Sequence, residues 1–560
     1  MRFKSLLAGL AALSLSAASF AQPARAPAPA FSAAAFRAHV TFLADDLLEG
    51  RETGSRGHEI AARYVATQFA ALGLRPGAGD SWFQPIDFVR VANNPGTTLT
   101  VGGHTYAQGR EIAMRAGAEQ EPVAVEAPLV FAGYGLDMPA HGFDDYRGLD
   151  VRGKIVVVLS GTPAGIRSDV AAHLNGDKRR MAAARGAIGL ITVRTRADSA
   201  DTPWARTLRI ADRPLTTWVE PGGTPFTDAR DLRFAATVNE HVAAVLFRGA
   251  RRPLDAVLEE AARPGFKPVG FMLRQRAQVA RSPGAVTHFS SPNVLAVLPG
   301  TDPGVAGEYV LLMAHLDHIG IRESRPNDPA GTDRINNGAM DNATGIATLI
   351  EVARVMSQPG NRPRRPILLA AVTGEEKGLL GAQFLSRHPV VGGGRVISVV
   401  NLDMPILTYD FRDVTAFGAE HSTMGPIVAR AAARMGVRVS PNPLPQENLF
   451  TRSDHYRFVQ QGIPSVFLMT GFANGGGERF RNFLATRYHS PGDDLSQDFD
   501  WQAGARFARL NYLIAREIAD GSEAPRWYEG SFFGDTFGGD QPRQARPAPQ
   551  AASRRPASRR

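Results

Sequence analysis

The chain has no cysteine among its 560 residues. That excludes disulfides, thiolate metal ligands and a lipid-anchored N-terminal cysteine, so any metal must be held by nitrogen and oxygen. Long apolar runs are also missing. The main one, residues 6–20, follows Arg2 and Lys4, is too short for an ordinary membrane span, and leads to Ser19 and Ala21 at the small-residue positions of a cleavage site. Residues 1–21 therefore read as a signal peptide, and the chain as exported to the periplasm or the cell exterior, without a membrane span. A basic body is missing too. Of the formal charge of +9, Arg2 and Lys4 lie in the leader and Arg543, Arg546, Arg554, Arg555, Arg559 and Arg560 in the C-terminal tail. What remains is nearly neutral, which argues against nucleic acid as a partner. The tail, rich in Pro, Ala, Gln, Ser and Arg, lacks the apolar surface needed to fold, and residues 526–560 are expected to be a basic, disordered extension.

What is present is a globular composition, 44% hydrophobic and 21% charged, at a length that suits two folded units. Phe36, Val40, Leu43 and Leu47, then Ile60, Tyr64, Val65 and Phe69, recur at helical spacing, with a break at 50–57 and stop signals at Gly73 and Pro76. This opening portion is taken as 31–118. Short β-rich runs at 129–133, 154–159, 190–193 and 242–247, with a helix at 169–185, predict a separate α+β unit inserted over 119–283. Beyond it, apolar runs at 309–314, 367–372, 396–402 and 465–469 have strand length and no alternation, as expected for strands buried on both faces. Helical patterns at 345–356, 378–386, 424–435 and 501–518 lie between and after them. The fold class expected for 284–525 is α/β, a three-layer sandwich with a mixed, largely parallel sheet. Sites in such sheets gather beyond the carboxyl ends of the strands.

Ligand-type side chains fall at those ends. His315 ends the run 309–314, and Asp317, two residues on, is placed to accept from its other ring nitrogen. His318, at odd spacing from His315, is expected to point elsewhere and to line the pocket wall. Asp341 precedes a helix, where an N-cap is the plain alternative, yet its two oxygens can also bridge two cations. Glu375 and Glu376 follow the run 367–372, and two adjacent carboxylates there need a cation or a shared proton. One can ligate while the other moves protons. Asp403 ends the run 396–402, and His489 lies in a loop beside Tyr488, which is positioned to support an oxyanion. Five ligands, His315, Asp341, Glu376, Asp403 and His489, exceed the need of one catalytic zinc and fit two ions sharing a ligand, with Glu375 left for proton transfer.

The strings HLDHIG, NNGAMDNATGIATLIEVAR, TGEEKGLLGAQ, NLDM, SDHYRFVQQGIPSVFL and YHSPGDD, in this order, resemble the co-catalytic di-zinc exopeptidases, the family of secreted bacterial aminopeptidases, aminopeptidase Y and glutamate carboxypeptidases. The resemblance implies the zinc exopeptidase fold and two Zn2+ per chain. It makes Asp341 the bridge, gives His315 and Asp403 to one zinc and Glu376 and His489 to the other, and assigns Glu375 as general acid/base. It also places Ser453, Asp454 and His455 near the pocket, with Asp454 as a hydrogen-bond acceptor behind the ligands. FAGYGL and FDDYRGLDVRGKIVVVL resemble the protease-associated domain often inserted in this family. Met340 and Arg487 stand where the family often has acidic residues, which bears on pocket charge. The implied activity is an aminopeptidase acting on peptide substrates. A carboxypeptidase or dipeptidase and a one-zinc glutaminyl cyclase are the alternatives on the same fold, and a receptor-like binding protein without catalysis is the more distant one.

Overall fold

The computed structural model describes residues 30–118 and 121–547; the expected leader and the last part of the basic tail lie outside them. Two sheets organise the chain from Phe31 onward. The first contains β1 (Phe83–Val91), β2 (Leu215–Trp218), β3 (Val286–Leu298), β4 (Glu308–His315), β5 (Ile367–Val372), β6 (Arg395–Leu402), β7 (Asp413–Phe417), β8 (Arg438–Ser440) and β9 (Ser465–Thr470). Their order is β2-β1-β3-β5-β4-β6-β9-β7-β8, with the short strand Arg75–Pro76 added beside β3. The central four, β5, β4, β6 and β9, run parallel, β3 and β7 join them antiparallel on either side, and β8 pairs parallel with β7. Register puts His315 opposite Val372 and Met313 opposite Asn401, so the carboxyl ends of β4, β5 and β6 open at one edge.

Side chains of the central strands alternate between two cores, the period-two consequence of the pleat. Val310, Leu312 and Ala314 join one core with Ile346 and Leu349, while Leu311 and Met313 join the other with Leu385 and Phe458. The helices of the first layer are α1 (Ala33–Leu43), α2 (Arg56–Ala71), α3 (Thr344–Ser357) and, later in the chain, α5 (Met424–Ala433) and α7 (Trp501–Asp520); α4 (Leu380–Arg387) covers the opposite face, and α6 (Gly476–Thr486) precedes His489. Polar caps start several of them. Ser32, Ser55 and Asp500 accept from the backbone N–H of Ala35, His58 and Ala503. The three-layer α/β sandwich with a mixed, centrally parallel sheet is thus present.

The second sheet contains Thr98–Val101, His104–Ala107, Ile112–Met114, Val123–Phe131, Ile155–Leu159, Gly189–Val193, Ala235–Val238 and Phe271–Arg281. Its strands begin well before residue 119, because Thr98–Val101 pairs with Phe271–Arg281 rather than with the first sheet. The unit also sends β2 back to pair with β1. Residues 242–247, expected as β-rich, belong to the helix Glu240–Leu246, since a short apolar run fits either element. The helix expected at 169–185 is broken at Asp177 into Ser168–Gly176 and Lys178–Ala184. The first part of the extension expected to be disordered over 526–560 is structured: Trp527 and Phe533 are fully buried, and Phe532–Phe537 is helical, while residues 548–560 lie outside the described residues. Its aromatic residues supply the apolar surface that the Pro- and Arg-rich end lacks.

Candidate metal centre

β4 delivers His315 and β6 delivers Asp403 at the same sheet edge. After β5 the chain turns at Gly374, whose φ of +70° is the left-handed region open to glycine, and presents Glu375 and Glu376. Asp341 comes from the irregular turn ahead of α3, across a cis Asp341–Asn342 peptide, and His489 from the loop after α6. The structure brings all five side chains together as two triads. His315 Nε2 lies 3.1 Å from Asp341 Oδ1 and 3.3 Å from Asp403 Oδ1. His489 Nε2 lies 3.4 Å from Asp341 Oδ2 and 3.1 Å from Glu376 Oε2. Two ligands about 2.0 to 2.1 Å from one tetrahedral zinc stand about 3.3 Å apart. The donor set and its spacing therefore fit zinc, and the two Asp341 oxygens face one triad each.

The centre concentrates negative charge. Arg51 is buried beneath it and donates to the backbone carbonyls of Leu316 (2.9 Å), Asn337 (2.6 Å), Gly338 (3.0 Å) and Leu43, so its charge is spent on no single carboxylate. Burial lowers it to about 10, against the pull of Asp493, Asp317, Asp341 and Glu376, and it stays charged at neutral pH. Burial raises Glu375 well above the usual range, with Glu376, Asp454 and Asp403 adding and His315 opposing. Burial and Asp341 also push Glu376 up, but contacts with His318 and His489 outweigh them and hold it at about 2. His489 is raised to about 10 because Asp341 and Glu376 outweigh its burial. A cation in the triad reverses that shift, since a ligating imidazole must be neutral.

Supporting contacts fix the ligands. His315 Nδ1 lies 3.0 Å from the Asp317 carbonyl oxygen, not from the carboxylate expected there. The Asp317 side chain is engaged elsewhere, accepting from Thr53 Oγ1 (2.9 Å), Glu375 N (3.1 Å) and Glu376 N (3.4 Å). It thereby orients the turn that carries both glutamates, while the carbonyl leaves His315 Nε2 to face Asp341 and Asp403. Ser453 Oγ donates to Asp403 Oδ2 at 2.6 Å and accepts from Asn401 Nδ2 at 2.7 Å. Asp493 accepts from the backbone N–H of Met340 (2.9 Å) and Asp341 (3.0 Å) and from Gln497 Nε2 (2.7 Å).

Other expectations change. Asp454 is fully buried, yet neither oxygen has a hydrogen-bond donor among the described residues, and burial, with Asp317 and Asp403, pushes it up to about 8. Met340 is fully buried in the apolar core. Arg487 Nη1 donates to Gly492 O at 2.5 Å and braces the His489 loop. Tyr488 stacks on His489 with ring centroids 3.9 Å apart, and burial, Asp341 and Glu376 raise its phenol so that it stays protonated. His318 does not turn away: the chain leaves the strand after His315, strand alternation ends, and the ring packs 2.8 Å from Glu376 Oε1. Arg51 and Thr53, in the Gly-rich break between α1 and α2, carried no signal beyond that break. His318, Asp341 and Glu376 also converge as a possible ligand group, and a separate group, Asp169, Glu420 and His421, lies where the second unit meets the first, with Arg167 already paired to Asp169 at 2.7 Å.

Residues 293–515 match the profile of peptidase family M28. A probable zinc metalloprotease of Leptosphaeria maculans is 26% identical over 262 residues, which cover 42% of this chain and 58% of that protein. An aminopeptidase from Aneurinibacillus sp. strain AM-1 aligns with a TM-score of 0.49 and 20% identity, over 88% of this chain and 95% of that one. The chain thus spans little more than half the length of the first of these relatives. Two further relatives overturn the expected export to the periplasm or cell exterior: those of Arthroderma gypseum (25% identical, 29% of this chain, 17% of that protein) and Ajellomyces capsulatus (31%, 18% and 10%) are named vacuolar membrane proteases. No helix among the described residues is long and apolar enough to cross a membrane. The segment 293–515, which matches the profile of peptidase family M28, carries every ligand-type side chain of the two triads and the Glu375–Glu376 pair.

Proposed function

We propose that the chain is a zinc metallopeptidase that removes residues from the amino end of peptides. Two zinc ions are assigned, one to His315 and Asp403 and one to Glu376 and His489, with Asp341 shared. The observation that carries this reading is Asp341, whose Oδ1 lies 3.1 Å from His315 and whose Oδ2 lies 3.4 Å from His489. Zinc bound there would polarise the substrate carbonyl and lower the pKa of the attacking water. The rest is the work of side chains. The Glu375 carboxylate has no hydrogen-bond partner among the described residues, while its backbone N–H is fixed by Asp317. It takes a proton from the attacking water and returns it to the leaving amine. Tyr488, protonated and stacked on His489, donates to the carbonyl oxygen as charge develops. The amino-end preference rests on the motif resemblance.

Glu375→Gln tests this directly. The variant is expected to keep both metals and to lose about 100- to 10,000-fold in kcat/KM on an aminoacyl chromogenic substrate. Turnover at the wild-type rate would remove Glu375 from its role. Equal cleavage of free and N-blocked peptides would remove the amino-end preference, and activity unaffected by a chelator would remove the metals.

A further inference from the structure

His318 is a buried imidazole that the reaction proposed above does not use. Its side chain is wholly inaccessible, and Nδ1 lies 2.8 Å from Glu376 Oε1, shorter than any of the ligand-to-ligand distances in the two triads. That is the separation of a direct polar contact, although His318, Asp341 and Glu376 also lie close enough together to face one cation. Among the described residues neither ring nitrogen nor Oε1 has an aligned hydrogen-bond partner, so this close contact is the one polar approach that Nδ1 and Oε1 make. The ring has no freedom to leave. Its backbone N–H donates to Arg51 O at 3.2 Å, and a Cβ added to Gly338, whose φ is +59°, would come within 2.6 Å of His318 Cγ. The His489 ring stands edge-on, 5.6 Å away. His489 itself is less constrained, with a side chain 36% exposed on a loop residue of positive φ.

Resting on the two-ion reading, we infer that His318 is a positioning residue for Glu376. It engages Oε1 and so leaves Oε2 as the single oxygen turned toward His489, 3.1 Å away. Without it the Glu376 carboxylate is free to rotate, the second triad loses its preset geometry, and the second metal is held more weakly. The first triad meets His318 only through the shared Asp341, and its other two ligands, His315 and Asp403, are unaffected.

The test uses the full chain and needs no substrate: zinc stoichiometry and affinity are read by competition with a chromophoric chelator, with circular dichroism of the metal-free protein as the folding control. The wild type is expected to take up two ions. His318→Ala takes up two, the weaker one losing about 10- to 100-fold in affinity. His318→Gln, whose amide still reaches Oε1, recovers most of that loss, and His489→Ala loses the second ion outright. Wild-type affinity in His318→Ala would overturn the inference, and so would complete loss of the second ion, which would make His318 a ligand. Should the alanine variant fail to fold, His318→Asn, too short to reach Oε1, replaces it, and equal affinity in the Asn and Gln variants would overturn the inference. A wild type that binds only one ion overturns the two-ion reading together with it.

Discussion

Asp403 meets two different partners with its two oxygens: Oδ1 lies 3.3 Å from His315, and Oδ2 accepts from Ser453 Oγ at 2.6 Å. The serine donor is itself oriented by Asn401, so a three-residue chain reaches the first triad from strand β6. Ser453→Ala removes the donor, leaves the Asn401 amide without its acceptor, and lets the Asp403 carboxylate turn. The expected result is a fold close to wild type with zinc affinity at the first triad lowered about 10- to 100-fold. Equilibrium competition with a chelator measures this, and unchanged affinity would show that Asp403 is fixed by its strand alone. His315, Asp403 and the Glu375–Glu376 pair were legible in the sequence because each follows an apolar run, whereas Asp341, before a helix, and His489, in a loop, were legible only through their motifs. The supporting atoms were not. Whether His315 leans on the Asp317 carboxylate or on its carbonyl depends on where Thr53 lies, and Thr53 reaches Asp317 from 264 residues away. His318 was misplaced for a related reason, since the alternation of a strand says nothing once the strand has ended.

At the scale of elements, the four parallel strands were legible because both faces are buried and their sequences are apolar throughout. β2 was not. Leu215–Trp218 is a short edge strand whose meaning depends on its partner, and it belongs to a stretch of chain otherwise committed to the second sheet. Trp218 makes the connection firm. It is buried, stacks on Phe226 with centroids 4.2 Å apart, and its indole N–H donates to Gln383 Oε1 of α4 at 3.0 Å. Trp218→Ala would open a cavity and leave a buried acceptor without its donor, at a cost of about 3 to 5 kcal/mol. Chemical denaturation measures that loss. A change below about 1 kcal/mol would show that β2 is a passive edge.

At the scale of the whole molecule, the two sheets are tied at more than one place. Phe532 packs 4.5 Å from His141 of the second unit, Phe533 packs 5.0 Å from both His421 and Phe450 of the first, and Tyr456 OH lies 2.7 Å from His173 Nδ1. Such ties predict one cooperative unfolding transition, and a buried charge far from the metals provides a probe of it. Lys178, at a helix start in the second unit, donates to the Leu159 and Gly161 carbonyls, and burial lowers its pKa from 10.5 to about 7. Between those values the unfolded chain holds a proton that the folded chain releases, so stability attributable to Lys178 rises with pH from about 7 to 10.5 and is lost as pH falls back. Asp145 carries the opposite sign, being raised from 3.8 to about 6, but its window closes before that of Lys178 opens. Lys178→Met should therefore gain on the wild type at pH 7 and lose that advantage by pH 10. Scanning calorimetry of both proteins across this range reads the outcome: if the sheets are coupled, the whole endotherm moves with pH as a single peak, whereas a Lys178-dependent peak that separates from a fixed one would show that the second unit melts alone.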